Sequence, residues 1–415
     1  MSAAPRVVVV GAGEAGARAA MALREAGHVG EVVLLGAEAH APYERPPLSK
    51  AAIVDDEPAF PAIAAAADLA GRGVEHRRGA TVVAIDRAAG EVALADGGRV
   101  PYGRLILATG AEPRRLAIPG GEHALTLRDW GDAARIRRHL APGARLCVIG
   151  AGFIGLELAA SARARGCAVS VIEPLPRPLV RAVPAPLAER LAARHRAEGV
   201  DLRCGIGVAS IAVERDGEPF TIALTDGTTL GADLVVAGIG ASPRVELAKA
   251  AGLAIDNGIA VDGAMRTSDP RVFAIGDCAS YPLALLDGRR VRLESWRNAQ
   301  QQGERAARAI AGDEPGVAAP SDAVPWFWSD QYDLHLQIAG LPDGAAPFVE
   351  RPLGDGAIML LQAAPDGRLL AAAALGPLGA VARDMRIVET LIARRARPDM
   401  AALADPATKL KGLLR

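Results

Sequence analysis

The chain has 415 residues, 50% hydrophobic and 23% charged, with a net charge of −1 and four cysteines. That length leads us to expect two or three domains at about 100–200 residues each, and the balanced charge excludes nucleic acid as the expected partner. The cysteines show no CxxC spacing, which excludes a disulfide framework and fits a reducing cytoplasm, and no apolar run approaches the roughly 18 residues of a membrane helix.

The first predicted element is an apolar strand over residues 6–10, so close to the start that no signal peptide is expected. It runs into Gly11-Ala12-Gly13-Glu14-Ala15-Gly16 and an Ala/Leu-rich helix over 14–26 that stops at Gly27. A strand over 31–35 completes a βαβ unit. Residues 42–50 carry Pro46-Pro47 and are expected to lack regular structure. Strands follow at 91–94 and 104–108, the second leading into Thr109-Gly110-Ala111-Glu112-Pro113-Arg114.

The same pattern then returns. A strand over 145–149 precedes Gly150-Ala151-Gly152-Phe153-Ile154-Gly155, a helix over 153–165 ending at Gly166, and a strand over 168–172. A strand over 233–237 leads to Gly238-Ile239-Gly240, and one over 272–275 to Gly276-Asp277. A helix is predicted over 294–311 and a linker over 312–323. The remainder shows strands around 334–338 and 358–362 and a helix near 380–394. No internal repeat is evident beyond the two glycine units. The second unit reads as nested inside a discontinuous first domain.

The glycines have a mechanism. The first permits the sharp turn, the second lets backbone approach a pyrophosphate, and the third lets helix and strand pack closely. The helix N-terminus offers uncapped N–H groups and the positive end of a dipole. Two such units imply two dinucleotides with electrons passing between them. Glu173 ends the second unit's last strand, 18 residues after Gly155. A carboxylate there accepts from a ribose 2′-OH and repels a 2′-phosphate, favouring NADH, while nearby Arg177 keeps NADPH as the alternative. In the first unit that place falls at Ala37, and Glu38 is the adjacent candidate.

The motif order resembles the two-dinucleotide flavoproteins, more narrowly the FAD-dependent ferredoxin reductases of oxygenase systems, of the putidaredoxin, rubredoxin and biphenyl-dioxygenase reductase type. Apoptosis-inducing factor is a more distant likeness. The resemblance rests on Tyr43-Glu44-Arg45-Pro46-Pro47-Leu48-Ser49-Lys50, Phe153-Ile154-Gly155-Leu156-Glu157, Phe273-Ala274-Ile275-Gly276-Asp277-Cys278, Glu294-Ser295-Trp296-Arg297-Asn298-Ala299-Gln300 and Pro325-Trp326-Phe327-Trp328-Ser329-Asp330-Gln331-Tyr332. It implies an α/β fold with two Rossmann-like, glutathione-reductase-like domains and a C-terminal α+β interface domain. An FAD-binding domain over 1–110 and 241–315, an NAD(H)-binding domain over 111–240 and an interface domain over 316–415 follow.

The resemblance also implies roles. Lys50 sits by the flavin N5, where a cation stabilises charge arriving with hydride, and Glu157 lies near Lys50 and the nicotinamide. Asp277 meets the ribitol hydroxyls. Gly11, Gly13, Ala15, Gly16, Glu38 and Arg45 belong to the FAD site, with Val82, Ala108, Thr109, Gly110, Gly276, Trp296 and Trp328. Arg128 belongs there too, although Asp129 replaces the threonine usual beside it. Gly150, Gly152, Phe153, Ile154, Gly155, Glu173 and Gly240 fall to NADH. His335 reads as structural. No cysteine precedes Cys147, so no redox cysteine pair follows the first glycine unit and no C-terminal His–Glu pair serves one. Electrons are expected to leave FAD directly for a small [2Fe–2S] ferredoxin or rubredoxin-type acceptor that feeds a cytochrome P450 or Rieske oxygenase. The rivals are an NADH oxidase or quinone-type reductase of the same fold, and a redox-responsive flavoprotein acting by binding. A monomer or weak homodimer without metal ligands, membrane or nucleic acid completes the expectation.

Overall fold

The computed structural model describes residues 4–64, 66–213, 219–312, 319–343 and 346–414. Strand β1 (Val7–Val10) is four buried valines, whose branched side chains suit a strand covered on both faces. Helix α1 (Glu14–Glu25), β2 (Val32–Gly36), β3 (Val74–Arg78) and β4 (Arg104–Leu107) follow. The chain then builds β5 (Arg145–Ile149), α2 (Phe153–Ala164), β6 (Ala168–Glu173), α3 (Ala185–Ala197), β7 (Asp201–Cys204) and β8 (Leu234–Ala237). After β9 (Val272–Ala274) and α4 (Trp296–Gly312) come β10 (Trp326–Gln331), β11 (Leu334–Gly340), β12 (Val349–Gly354), β13 (Ala357–Ala363), β14 (Leu369–Pro377) and α5 (Ala382–Ala393).

Two compact units result. The first comprises Met1–Arg45, Phe60–Glu112 and Ser242–Pro325; the second comprises Pro46–Ala59, Pro113–Ala241 and Trp326–Arg415. In the first, a parallel sheet runs in the order β9-β4-β1-β2-β3. The chain leaves this sheet after β4 and rejoins it at β9. Helix α4 packs on α1 through small residues. A Cβ on Gly303 would lie 2.9 Å from Ala15 O and Ala19 N, so the helices meet at backbone distance.

In the second unit a parallel sheet runs β7-β6-β5-β8. Its core joins Cys147, Ile149, Ile172, Ile222, Leu224 and Val235. An antiparallel sheet of the same unit runs β10-β11-β14-β13-β12, with α5 packed on β11 and β14.

Three expectations change. The repeat extends well past the glycine turns. In each unit a three-stranded antiparallel meander (Val82–Asp86, Glu91–Leu94, Arg99–Pro101 in one; Val208–Ala212, Phe220–Leu224, Thr229–Ala232 in the other) comes just before the parallel strand that pairs with the first. Secondly, the 42–50 segment is not irregular throughout. Pro46–Ser49 forms a 3-10 turn and Ala51–Val54 a short helix, because proline is tolerated in a first helical turn where its missing N–H has no partner anyway. Thirdly, β10, β12 and β14 were not foreseen. In β14 the run Ala371–Ala374 is wholly buried, and burial between neighbouring strands and α5 overrides alanine's helix preference. Part of the expected linker, 313–318, lies outside the described residues.

Candidate active site

Each parallel sheet carries a glycine turn at the C-terminal end of its first strand. In the first unit Gly11 has φ +109° and a Cβ there would stand 2.2 Å from Ala108 O; on Gly16 it would stand 1.8 Å from Gly11 O. These two positions admit no side chain. Gly13 differs: nothing lies within 4 Å of its Cβ position, and it caps α1 without a side-chain hydrogen bond. The second unit repeats this. Gly150 (φ +104°) and Gly155 face Gly238 O and Gly150 O at 2.5 and 2.1 Å, while Gly152, the α2 N-cap, has only Gly238 O at 3.9 Å. Two of three glycines serve the turn and the middle one keeps space open at an uncapped helix end. That shape and those free N–H groups fit a pyrophosphate in both units.

Around the first turn, Gly276 packs against Ala15, with 3.0 Å between its Cβ position and Ala15 Cβ, and donates its N–H to Gln302 Oε1 at 2.7 Å. This places half-buried Asp277 beside the turn. Thr109 Oγ1 donates to Arg244 O at 2.7 Å and Gly110 O accepts from Arg244 N at 2.9 Å. Val82 is buried in the meander. Glu38 accepts from the Tyr43 hydroxyl at 2.6 Å and from Arg45 at 3.2 Å, so this acid and Arg45 form one cluster at the end of β2. Trp296 opens α4. Gln300 of that helix donates to Glu14 at 2.9 Å, and burial raises the Glu14 carboxyl against that bond.

Around the second turn, Glu173 is buried and accepts from the N–H groups of Ala151 (2.8 Å) and Leu175 (2.9 Å). The carboxylate therefore braces the glycine turn itself. Arg177 donates to the carbonyls of Pro178, Val183 and Val180, which commits its guanidinium to its own loop. Arg114 N donates to Gly240 O at 2.9 Å. Phe153 is half-buried and Ile154 is exposed on the first turn of α2. Asp129 has a plain explanation: it is the N-cap of helix Trp130–Arg138, accepting from Asp132 N at 2.7 Å, while Arg128 N donates to Asp132 at 2.9 Å.

The second unit also brings Lys50 and Glu157 together, with Nζ 2.9 Å from Oε2. Glu157 is 6% exposed and also accepts from Ser49 Oγ (2.5 Å) and Ser329 Oγ (2.6 Å). Ser161 of α2 holds Ser49 through its carbonyl at 2.6 Å. On the other face of β10, Trp326 and Trp328 stack with centroids 5.2 Å apart. Asp330 bonds His335, which Gln337 meets at 2.7 Å. Burial pushes the Asp330 carboxyl up, but the bond to His335 and the charges of His335 and Lys50 outweigh it and hold it below the usual range. Ser49 and Ser329 were not anticipated. The only sequence signal is the alternation of buried Ser329 and Gln331 along β10, which is unremarked without knowing which face is covered.

All four cysteines are free. Burial raises every thiol, Cys147 to about 12. None is a ready nucleophile. Among the described residues no cluster of metal-ligating side chains occurs, and no helix is long and apolar enough to cross a membrane.

Comparison with known proteins agrees with this geometry. Residues 5–303 match the pyridine nucleotide-disulphide oxidoreductase family and residues 326–414 the reductase C-terminal family. The chain is 42% identical, over the full length of both proteins, to the ferredoxin–NAD(+) reductase component of an anthranilate 1,2-dioxygenase system from Burkholderia cepacia. It is 41% identical to putidaredoxin reductase of Pseudomonas putida over 85% of this chain and 84% of that one. Among solved structures, a ferredoxin reductase for the CYP199A2 system of Rhodopseudomonas palustris superposes with TM-score 0.92 at 35% identity, covering 99% and 100% of the two chains. The reductase of a covalent putidaredoxin reductase–putidaredoxin complex gives 0.90 at 35%, covering 100% and 99%. With two open glycine cradles and a match over most of its length, the chain belongs to the pyridine nucleotide-disulphide oxidoreductase family.

Proposed function

We propose that the chain is an NADH-dependent ferredoxin reductase, passing electrons from NADH through FAD to a small [2Fe–2S] protein that serves a cytochrome P450 or Rieske oxygenase. The observation that carries this reading is two pyrophosphate cradles without a reactive thiol. With two dinucleotides and no disulfide relay, electrons leave the flavin directly, and an acceptor that takes them one at a time fits that absence. Its relatives are named for that kind of partner.

When bound, the two cofactors supply hydride donation, hydride acceptance and division of the pair into single electrons. The protein supplies the rest. Uncapped N–H groups at Gly13 and Gly152 hold the two pyrophosphates. Gly11, Ala15, Gly16, Glu38, Arg45, Val82, Ala108, Thr109, Gly110, Arg128, Gly276, Asp277, Trp296 and Trp328 form the remainder of the FAD site. Glu173, braced by Ala151 N–H, presents a negative charge where a 2′-phosphate would sit. With Arg177 committed to its own loop, this supports NADH over NADPH. Lys50 presents its ammonium to charge arriving with hydride, and Glu157 holds that ammonium in place. We assign 1–110 with 241–315 to FAD, 111–240 to NAD(H) and 316–415 to the interface domain, and place a monomer or weak homodimer in the cytoplasm.

Anaerobic stopped-flow mixing with NADH, then with an oxidised [2Fe–2S] ferredoxin, tests the reading. Rapid bleaching of the flavin followed by ferredoxin reduction is expected, with NADPH far slower. A flavin that NADH does not bleach, or one that reduces only oxygen, a quinone or a thiol, refutes it.

A further inference from the structure

Behind Glu157 runs a file of buried polar side chains that the proposed chemistry does not yet use. The Tyr332 hydroxyl donates to His195 Nδ1 (3.0 Å), and His195 Nε2–H donates to Gln331 Oε1 (2.8 Å). Gln331 Nε2–H donates to Ser329 Oγ (3.0 Å), whose hydroxyl donates to Glu157 Oε1 (2.6 Å). Glu157 is a carboxylate and only accepts, so Ser329 has to donate to it and accept from the Gln331 amide. The amide oxygen then faces His195, whose Nε2 carries the proton while Nδ1 accepts. A single assignment satisfies every link. Burial lowers the His195 pKa, in keeping with a neutral ring. His195 is 0% exposed and Ser329 and Gln331 are 1% exposed. Leaving any one of them unpaired there forfeits the compensation for taking it out of water.

The arrangement of the Glu157 oxygens gives the file its purpose. Ser49 and Lys50 both meet Oε2; Ser329 alone, of these three, meets Oε1. Without Ser329 the carboxylate is held at one oxygen and free to turn. We propose that β10 of the C-terminal sheet is part of the active site: Ser329, backed by Gln331 and His195, is a positioning residue that orients Glu157 so that it holds Lys50 Nζ for hydride transfer. This rests on the roles given above to Lys50 and Glu157. The charged and titratable groups around the file are Lys50, Asp330 with His335 on the two adjoining strands, and, at the far end by Tyr332, Arg163 of α2 with Arg194 and Glu198 of the α3 end.

The FAD-loaded enzyme with Ser329→Ala, Ser329→Thr and Gln331→Leu tests this, by flavin reduction against pH and by the flavin midpoint potential. Ser329→Ala is expected to slow reduction on the order of tenfold and to move the acid limb of the rate profile to higher pH, since a buried carboxylate has lost a donor. Its midpoint potential should move positive at acid pH, where the Lys50 charge goes unmatched. Ser329→Thr, which keeps the hydroxyl, should restore both, and Gln331→Leu should move both the same way by less. Should Ser329→Ala not fold, Gln331→Leu carries the same two expectations. Wild-type rates, or slower rates with unchanged pH profile and potential, overturn the proposal. Wild-type enzyme that NADH leaves oxidised refutes the ferredoxin-reductase reading instead.

Discussion

Gly13 and Gly152 separate binding from folding. Their Cβ positions meet nothing closer than 3.9 Å, whereas Gly155 meets Gly150 O at 2.1 Å. Gly152→Ala should therefore fold with a stability within about 1 kcal/mol of wild type, keep its FAD, and show a raised KM for NADH, because the methyl occupies the pyrophosphate's approach. Gly155→Ala should instead lose about 1–3 kcal/mol through forced backbone movement. Thermal unfolding and NADH titration of the two variants check this, and equal stability loss in both would refute it. The residue scale is also where the sequence was least legible. Lys50 and Glu157 stand out by motif, but Ser329 and Gln331 are ordinary polar residues until β10 is seen to bury one face. Asp129 acquires a reason only as a helix N-cap.

Helices α1 and α4 illustrate the element scale. Their contact is built from small residues, with Gly303 facing Ala15 and Ala19 backbone. Since α1 presents its N-terminus to the first cradle, displacing α4 also displaces that anion site. Gly303→Ala should cost about 1–3 kcal/mol by overpacking and weaken FAD retention on dilution, read by thermal unfolding and released flavin fluorescence. A variant with wild-type FAD retention would show that the two helices move independently. Helices that follow a glycine turn and end at a glycine were legible. The predicted 14–26 and 153–165 became Glu14–Glu25 and Phe153–Ala164. Strands β10, β12 and β14 were not, although each pairs with a strand next to it in sequence; their burial comes from the assembled sheet and α5, which overrides local composition.

Over the whole molecule, buried neutral histidines tie stability to pH. Burial lowers His28, His76 and His195 below the usual value. Below an unfolded pKa of about 6.5 the unfolded chain binds protons that the folded chain refuses. Stability is thus fully present above that pH and lost as pH falls through it. The Asp330 carboxyl, held low, adds loss of the same sign nearer pH 4. The thermal midpoint should be level in mild alkali and decline on acidification below about 6.5, with a shallower slope in His195→Gln; a rising midpoint on acidification would contradict this. The amino-acid sequence by itself determined the two glycine turns, the two βαβ units and the missing redox cysteines. Those features are local: a turn, an Ala/Leu-rich helix between glycines or an absent residue type is read within the chain itself. Tertiary structure alone decided that the repeat includes a meander in each unit, and that a strand from the last hundred residues completes the shell around Glu157. The Ser329–Glu157 contact joins residues 172 positions apart in the chain, and only the burial of one strand face, which no single-sequence period reveals, makes Ser329 a partner of Glu157.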